Sequence, residues 1–332
     1  MILFGAGRLG HRIWTECRRR NIPVEAFSDN NPALWGTYIH SIPVCSPPEA
    51  ASLFREEDFL VTIFNGRSVR EQLRRIGLKV VSTPQFLLDH SIRLGDFGLE
   101  PASYYKQPEI AVAVTSLMRI VDRKSQLELS SQWEWRAGGM LDDTILPSCD
   151  DPGDLYFPDF LMPIEDEVYF DCGAYDGDTV SKFQLWNTNY RKVVAFEPVQ
   201  EVKATGEVHI LRTGLGSGFR YTCFSDEGPG SHQGRGSIPG TIVPLDWFYE
   251  LKPTLIKMDI EGSELDALHG AREILRDLKP ALAVCLYHKA SHLWEVPLLI
   301  HSMNPDYRLL IRRYADDCAE LVCYAIPEER LK

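Results

Sequence analysis

The chain has 332 residues, 44% of them hydrophobic and 25% charged, which is the balance of a globular protein long enough for two domains of ordinary size. A net charge of -12 argues against wholesale binding to nucleic acid or anionic membrane and leaves small molecules as the expected partners. No secretory segment precedes the first apolar run and none is long enough to span a bilayer, so the expected location is cytoplasmic, without membrane insertion.

The first 90 residues alternate short apolar runs with helical patterns, which predicts a small Rossmann-like α/β domain. Met1 to Phe4 reads as a strand, Gly5-Ala6-Gly7-Arg8-Leu9-Gly10 as a glycine turn, and Leu9, Ile13 and Cys17 as one face of a helix. Arg18, Arg19 and Arg20 fall where that helix should end and complement its dipole. Val24 to Phe27 is the next strand and runs into Ser28-Asp29-Asn30-Asn31-Pro32; Phe59 to Ile63 and Lys79 to Ser82 continue the sheet around a helix from Val69 to Ile76. A glycine turn that follows a strand and opens a helix can hold a phosphate through backbone amides, and Asp29 lies at the right distance to bind a ribose. Gly5, Gly7, Gly10 and Asp29 are therefore candidate ligand-binding residues; the alternative is a fold kept as a scaffold after its site was lost.

Residues 91 to 154 predict a helical connector without strands: Ile110, Val114, Leu117, Met118 and Val121 recur at helical spacing, and a more polar helix runs through Trp133 to Gly138. This connector is expected to pack the two halves together; Trp133 and Trp135 read as partly exposed packing aromatics, with contact to substrate as the alternative, and Cys149 to Asp154 reads as a loop into the next unit.

From residue 155 to 332 a larger α/β domain is expected. Val168-Tyr169-Phe170 and Val193-Val194-Ala195-Phe196 are nearly continuous apolar runs, as in buried parallel strands. The first ends in Asp171-Cys172-Gly173-Ala174-Tyr175-Asp176-Gly177, the second in Glu197-Pro198, one helix apart, which is a nucleoside-binding βαβ unit. Ligands in such sheets lie outside the carboxyl ends of the strands, so Asp171 and Glu197 should both point into the crevice, with Glu197 accepting the ribose hydroxyls. Gly173 and Gly177 allow a sharp turn and close approach, and the turn has one glycine fewer than a dinucleotide fingerprint, which suits an adenosine with an uncharged or cationic tail. Later strands are Thr254 to Met258 and Ala281 to Leu286, with one helix from Gly262 to Leu278 between them and Ser263 with Asp266 as its capping box. Tyr307 to Ile311 and Glu320 to Tyr324 form a terminal hairpin. The Gly- and Ser-rich residues 225 to 240 read as a mobile loop near the site. The eight cysteines include no Cys-x-x-Cys pair and are expected to be free thiols, with Cys318 and Cys323 flanking the hairpin turn.

A parallel sheet closed by a terminal antiparallel hairpin resembles the class I methyltransferase architecture. Asp171-Cys172-Gly173-Ala174, Glu197-Pro198, Leu245-Asp246 and above all Ile256-Lys257-Met258-Asp259-Ile260-Glu261-Gly262-Ser263-Glu264-Leu265 are similar to the FkbM-type methyltransferases over about residues 160 to 300. The resemblance implies S-adenosylmethionine as methyl donor and a hydroxyl of a sugar, glycan or natural product as acceptor. It implies Asp171, Gly173, Ala174, Gly177, Glu197 and Asp259 as cofactor-binding residues. Tyr175 stands where many members have Asn, so no contact of that Asn is carried over. The N-terminal unit resembles the nucleotide-sugar-binding domain ahead of some sugar O-acyltransferases, through Gly5 to Gly10, Asp29 to Pro32 and Ile42-Pro43-Val44.

Methyl transfer is an in-line displacement that needs a positioned acceptor and a base for its proton. Adjacent strand ends should bring Asp259 and His288 together, with His288 as general base and Asp259 orienting it or lying near the methyl donor; the alternative is that His288 is a polar rim residue satisfied by backbone. Glu261 and Glu264 straddle a helix start, where acids are favoured by the dipole alone. A divalent metal on Asp259, Glu261 and His288 is the less favoured arrangement, since no spacing compels it. The competing functions are an NAD(P)-dependent oxidoreductase or a nucleotide-sugar-binding protein, each using the N-terminal glycine turn. Self-association into a homo-oligomer is left open.

Overall fold

A computed structural model describes the whole chain except residues 64, 65, 93, 95–97, 139–145, 147, 148, 226–232, 235, 317 and 318. Runs of three or four apolar residues, too short for helices, make the first sheet. Its strands are β1 (Ile2–Phe4), β2 (Ala26–Ser28), β3 (Tyr38–Ile39), β4 (Ile42–Cys45), β5 (Asp58–Val61) and β6 (Lys79–Val81), in the order β3-β4-β2-β1-β5-β6. All pairs are parallel except β3 with β4. The strands β3 and β4 were not foreseen, and β2 lies two residues later than its apolar run suggested. Helices α1 (Arg8–Arg19), α2 (Pro47–Leu53), α3 (Arg67–Arg75) and α4 (Thr83–Asp89) cover the faces; α1 buries Leu9, Ile13, Trp14 and Cys17 and ends on Arg18 and Arg19, as its dipole favours.

The connector comprises α5 (Ala102–Tyr105), α6 (Pro108–Met118) and α7 (Arg123–Ala137). Helix α7 belongs to both halves. Trp135 packs into the core under the first sheet, Leu129 and Ala137 pack into the core of the second, and neither Trp133 nor Trp135 lines a cavity.

The second sheet has seven strands: β7 (Glu167–Cys172), β8 (Tyr190–Phe196), β9 (Val208–Leu211), β13 (Leu255–Met258), β14 (Ala281–Cys285), β15 (Arg308–Arg313) and β16 (Leu321–Ile326). Its order is β15-β16-β14-β13-β7-β8-β9. Strands β7, β8, β9, β13 and β14 are parallel, and β16 inserts antiparallel between β14 and β15. Both faces are covered, by α8 (Asp178–Trp186), α9 (Glu264–His269) and α10 (His292–Met303) among others, which is why the strands read as continuous apolar runs. Between β9 and β13 stands a small sheet of β10 (Gly214–Leu215), β11 (Arg220–Phe224) and β12 (Ile238–Val243). Residues 238–240 are thus strand rather than loop; of the rest of the predicted mobile loop, 226–232 and 235 lie outside the described residues, as does Cys318. The seven described cysteines are free.

The single helix expected from Gly262 to Leu278 is broken after α9. Gly270 packs so closely on Gly216 that an added Cβ would come 2.1 Å from its carbonyl oxygen. The Asp246 carboxylate then accepts the amides of Glu273 and Ile274, at 3.2 and 3.0 Å, and starts a separate turn over Ile274–Leu278. The capping box does not form: the Ser263 hydroxyl bonds to the Gln233 side chain, and Asp266 is engaged with Arg220 and the Ser217 amide.

The connector is tied to the hairpin by two ion pairs, the buried Glu128 with Arg313 at 2.8 Å and the half-buried Asp122 with Arg312 at 2.9 Å. Removing one member of a buried pair strands the other charge and costs about 3 kcal/mol or more. Glu128→Ala should therefore lower the melting temperature by several degrees in a thermal scan, whereas substitution of exposed Glu71, paired with Arg75 in water, should leave it within a degree.

Candidate functional site

The site is built where three parallel strands end together. Gly173 adopts φ of 84°, and an added Cβ would come within 1.8 Å of the Asp259 carbonyl oxygen, so only glycine permits this turn. The Gly173 amide donates to the Phe196 carbonyl at 2.9 Å and the Asp259 amide to the Cys172 carbonyl at 3.0 Å. These bonds draw the ends of β8, β7 and β13 onto one rim, and Glu197, Gly173 and Asp259 line a cavity of about 420 Å³ there.

Asp171 does not reach that cavity, contrary to expectation. It is fully buried and faces Lys257 across the β7–β13 register, 3.1 Å from its ammonium, with a further bond from the Thr179 hydroxyl. Lys257 in turn donates to the Gly173 carbonyl at 2.6 Å. Burial raises the Asp171 carboxyl and Lys257 pulls against that rise; burial would lower Lys257, but Asp171 holds it above its ordinary value. A lysine inside the apolar run Leu255 to Met258 was the available sign that a buried acid must face it. Ala174 and Gly177 are also set back from the cavity: Ala174 is buried, and Gly177, at φ of 93°, packs on the Lys203 carbonyl.

Glu197 faces the bend. One carboxylate oxygen accepts the Tyr175 amide at 3.0 Å and the other accepts the Val199 and Gln200 amides at 2.8 and 2.9 Å, so its orientation is set by backbone. Asp259 is held by two tyrosines that sequence reasoning missed, Tyr156 donating at 2.8 Å and Tyr287 at 3.3 Å. Tyr156 sits in an irregular loop at φ of 71°, where no periodic signal marks it.

His288 meets Asp259 as adjacent strand ends require, with Nε2 3.3 Å from the Asp259 carboxylate and 3.7 Å from that of Glu261. Its Nδ1 lies 2.9 Å from Glu264, a wholly buried carboxylate that also accepts the Ile260 and Gly262 amides and lies 3.1 Å from His292. Glu264 was expected only to complement a helix dipole; it is instead the hub of the turn Asp259 to Gly262, in which Glu261 and Gly262 both take positive φ.

Residues 171–317 match the family model described as the methyltransferase FkbM domain. The chain carries an FkbM methyltransferase domain. A crystal structure described as methyltransferase FkbM from Methylobacillus flagellatus KT superposes with a TM-score of 0.73 at 21% identity, covering 98% of this chain and 89% of that one, which establishes the shared fold. A local likeness to RSP, a Rex-family repressor, has a TM-score of 0.22 at 23% identity, over 24% of this chain and 42% of that one. No curated protein matches the chain.

Within the FkbM domain, the electrostatics revise the role expected of His288. Burial disfavours its charge, but Glu264, then Glu261 and Asp259, overcome this and push it up to about 10. Both nitrogens face carboxylates, an arrangement that favours the charged ring, which has no lone pair for an acceptor's proton. This direction disfavours the expected role of His288 as general base. Glu264 is held well below the ordinary carboxylate range, burial opposing and His288 most strongly favouring its ionised form. The residues of the less favoured metal set do converge, but the tightest group among the described residues is Asp259, Glu264 and His288, whose ligand atoms lie within 4.8 Å. Glu264 is already engaged by two amides and the imidazole.

The N-terminal glycine turn is closely packed. The Asp29 carboxylate accepts the Ala6 and Asn31 amides, both at 2.8 Å, so its orientation is set by backbone. An added Cβ on Gly5 would meet Ile63 and Thr62, and on Gly10 the Gly5 carbonyl; Gly7 alone faces open space. One residue of this turn, Arg8, lines the cavity.

Because folded His288 titrates near 10 against an ordinary 6.5, the folded chain binds the extra proton between these values. Its contribution to stability is full below the lower value and is lost as pH rises through the upper one. The melting temperature of wild type should fall more steeply between pH 8 and 10.5 than that of His288→Gln; equal slopes would contradict the assignment.

Proposed function

We propose that the chain is an S-adenosylmethionine-dependent O-methyltransferase acting on a hydroxyl of a sugar, glycan or natural product. The observation that carries this reading is the convergence of Glu197, Gly173 and Asp259 on one cavity in an FkbM domain. The donor set suits the cofactor: the wall carries Glu197, Asp259 and Glu261, which favour a cationic ligand, and the tight turn at Gly173 brings backbone rather than side chain to the ligand. S-adenosylmethionine supplies an electrophilic methyl on a sulfonium.

Glu197 would hold the ribose, its carboxylate already fixed by three amides so that little ordering remains on binding. Gly173 would pass the methionine end through the bend. Asp259, rather than His288, accepts the proton of the attacking hydroxyl: it lines the cavity as a carboxylate whose other neighbours are donors, the two tyrosines and the imidazolium. His288 and Glu264 position Asp259 and offset its charge. Asp171, Lys257 and Thr179 act one layer back by fixing the turn. The free thiols suit a reducing compartment, and we place the protein in the cytoplasm. Among the described residues no helix is long and apolar enough to cross a membrane.

Two variants separate the roles. Glu197→Ala should weaken calorimetric binding of S-adenosylmethionine at least about tenfold, from the loss of charge-assisted bonds to hydroxyls. Asp259→Asn should leave that affinity within a few fold while lowering transfer of radiolabelled methyl by about a hundredfold or more at saturating cofactor, the contribution of a positioned base. Unchanged affinity in Glu197→Ala would remove the cofactor assignment, and unchanged turnover in Asp259→Asn the proton acceptor.

A further inference from the structure

The cavity wall is not supplied by the FkbM domain alone. Arg8, the first residue of α1, reaches it from the other sheet, beside Ala315, Ala319 and Glu320. The first unit is tied to the second at the Arg67 N–H, which donates to the Asp316 carboxylate at 3.2 Å, and the connector at two further points: Gly98 N–H to the Tyr287 carbonyl at 2.8 Å and the Asp150 amide to the Arg313 carbonyl at 2.7 Å. A Cβ on Gly98 would come 2.5 Å from the Tyr287 carbonyl oxygen, so this contact is close-packed.

The charges on the wall differ in what they are free to do. Lys257 is committed to Asp171 and the Gly173 carbonyl, and His288 to Glu264 and Asp259. Arg8 is exposed and makes no hydrogen bond or ion pair with another described residue. The acids Asp178, Glu197, Asp259, Glu261 and Glu320 on the same wall would repel an anionic ligand unless one cation remained available to it. A guanidinium presents a planar fork that matches the paired oxygens of a phosphate or carboxylate.

We propose that Arg8 recognises an oxyanion, phosphate or carboxylate, on the methyl acceptor, so that the first unit acts as a specificity wall of the methyltransferase cavity. This rests on reading the cavity as the methyl-transfer site.

The test uses the full chain loaded with S-adenosylhomocysteine and titrated calorimetrically with inorganic phosphate and, separately, malonate. One of the two anions should bind at a single site, which also tells phosphate from carboxylate. Arg8→Gln should weaken that binding by about tenfold or more, the loss of a charge-assisted pair, Arg8→Lys by less, and Arg75→Gln on exposed α3 not at all. Affinity for S-adenosylhomocysteine should be the same in all four proteins. If the loaded wild type binds neither anion, or Arg8→Gln binds as tightly as wild type, the inference is overturned while the cofactor reading stands. If wild type fails to take up S-adenosylhomocysteine, the cofactor reading falls first and this inference with it.

Discussion

Lys257 and Asp171 face each other across β13 and β7, both shut away from water, and the turn of the site hangs on the further bond that Lys257 makes to the Gly173 carbonyl. Burying two charges costs several kcal/mol each before their attraction is counted, so a pair of this kind is weak as a source of stability. What it supplies is placement. The ammonium fixes the one carbonyl that sets the path of the chain from β7 into α8, and the Asp259 carbonyl, packed against Gly173, leaves that path no slack. Glu197 is then oriented by the Tyr175 amide of the same turn, so the acid on β8 inherits its direction from the ion pair between β7 and β13.

A second buried arrangement governs the other side of the cavity. Glu264 gathers two amides of the Asp259 to Gly262 turn and the ring of His288 around one carboxylate, and His288 carries the compensating charge to Asp259. Acids thus line the cavity without their mutual repulsion opening it, because an imidazolium stands among them. On the proposed mechanism this divides the labour: the histidine holds its proton, and the carboxylate beside it is left to accept one.

Much of this was legible in the residues, and the reasons are physical. Strands buried on both faces must be continuous apolar runs, so β7, β8, β13 and β14 stood out, and the acids and glycines at their ends marked the rim. Neighbouring strand ends brought Asp259 and His288 together before any coordinates. What escaped were relations set by tertiary contact. Asp171 looked like a rim acid until the register placed Lys257 opposite it. Tyr156 lies in a loop with no period, and the break at Gly270 depends on Gly216 and Asp246, remote in sequence. In the small sheet β10 to β12, the start of β12 carries a Pro-Gly pair that reads as loop. Arg8 could not be placed at all, since nothing local to a glycine turn says which other unit it will face. The N-terminal Gly-x-Gly-x-x-Gly pattern is ambiguous for a related reason: Gly5 and Gly10 are required for close packing, which writes the same letters as close approach to a phosphate.

The central claim is that the rim joining β8, β7 and β13 is the cofactor seat, and a crystal structure of the protein grown with S-adenosylhomocysteine tests it most directly. The account predicts the ribose hydroxyls on the Glu197 carboxylate and the sulfur in the space between Gly173 and Asp259, with the Asp171–Lys257 pair intact behind them. Density for the nucleoside elsewhere on the molecule, or a ribose turned away from Glu197, would contradict it.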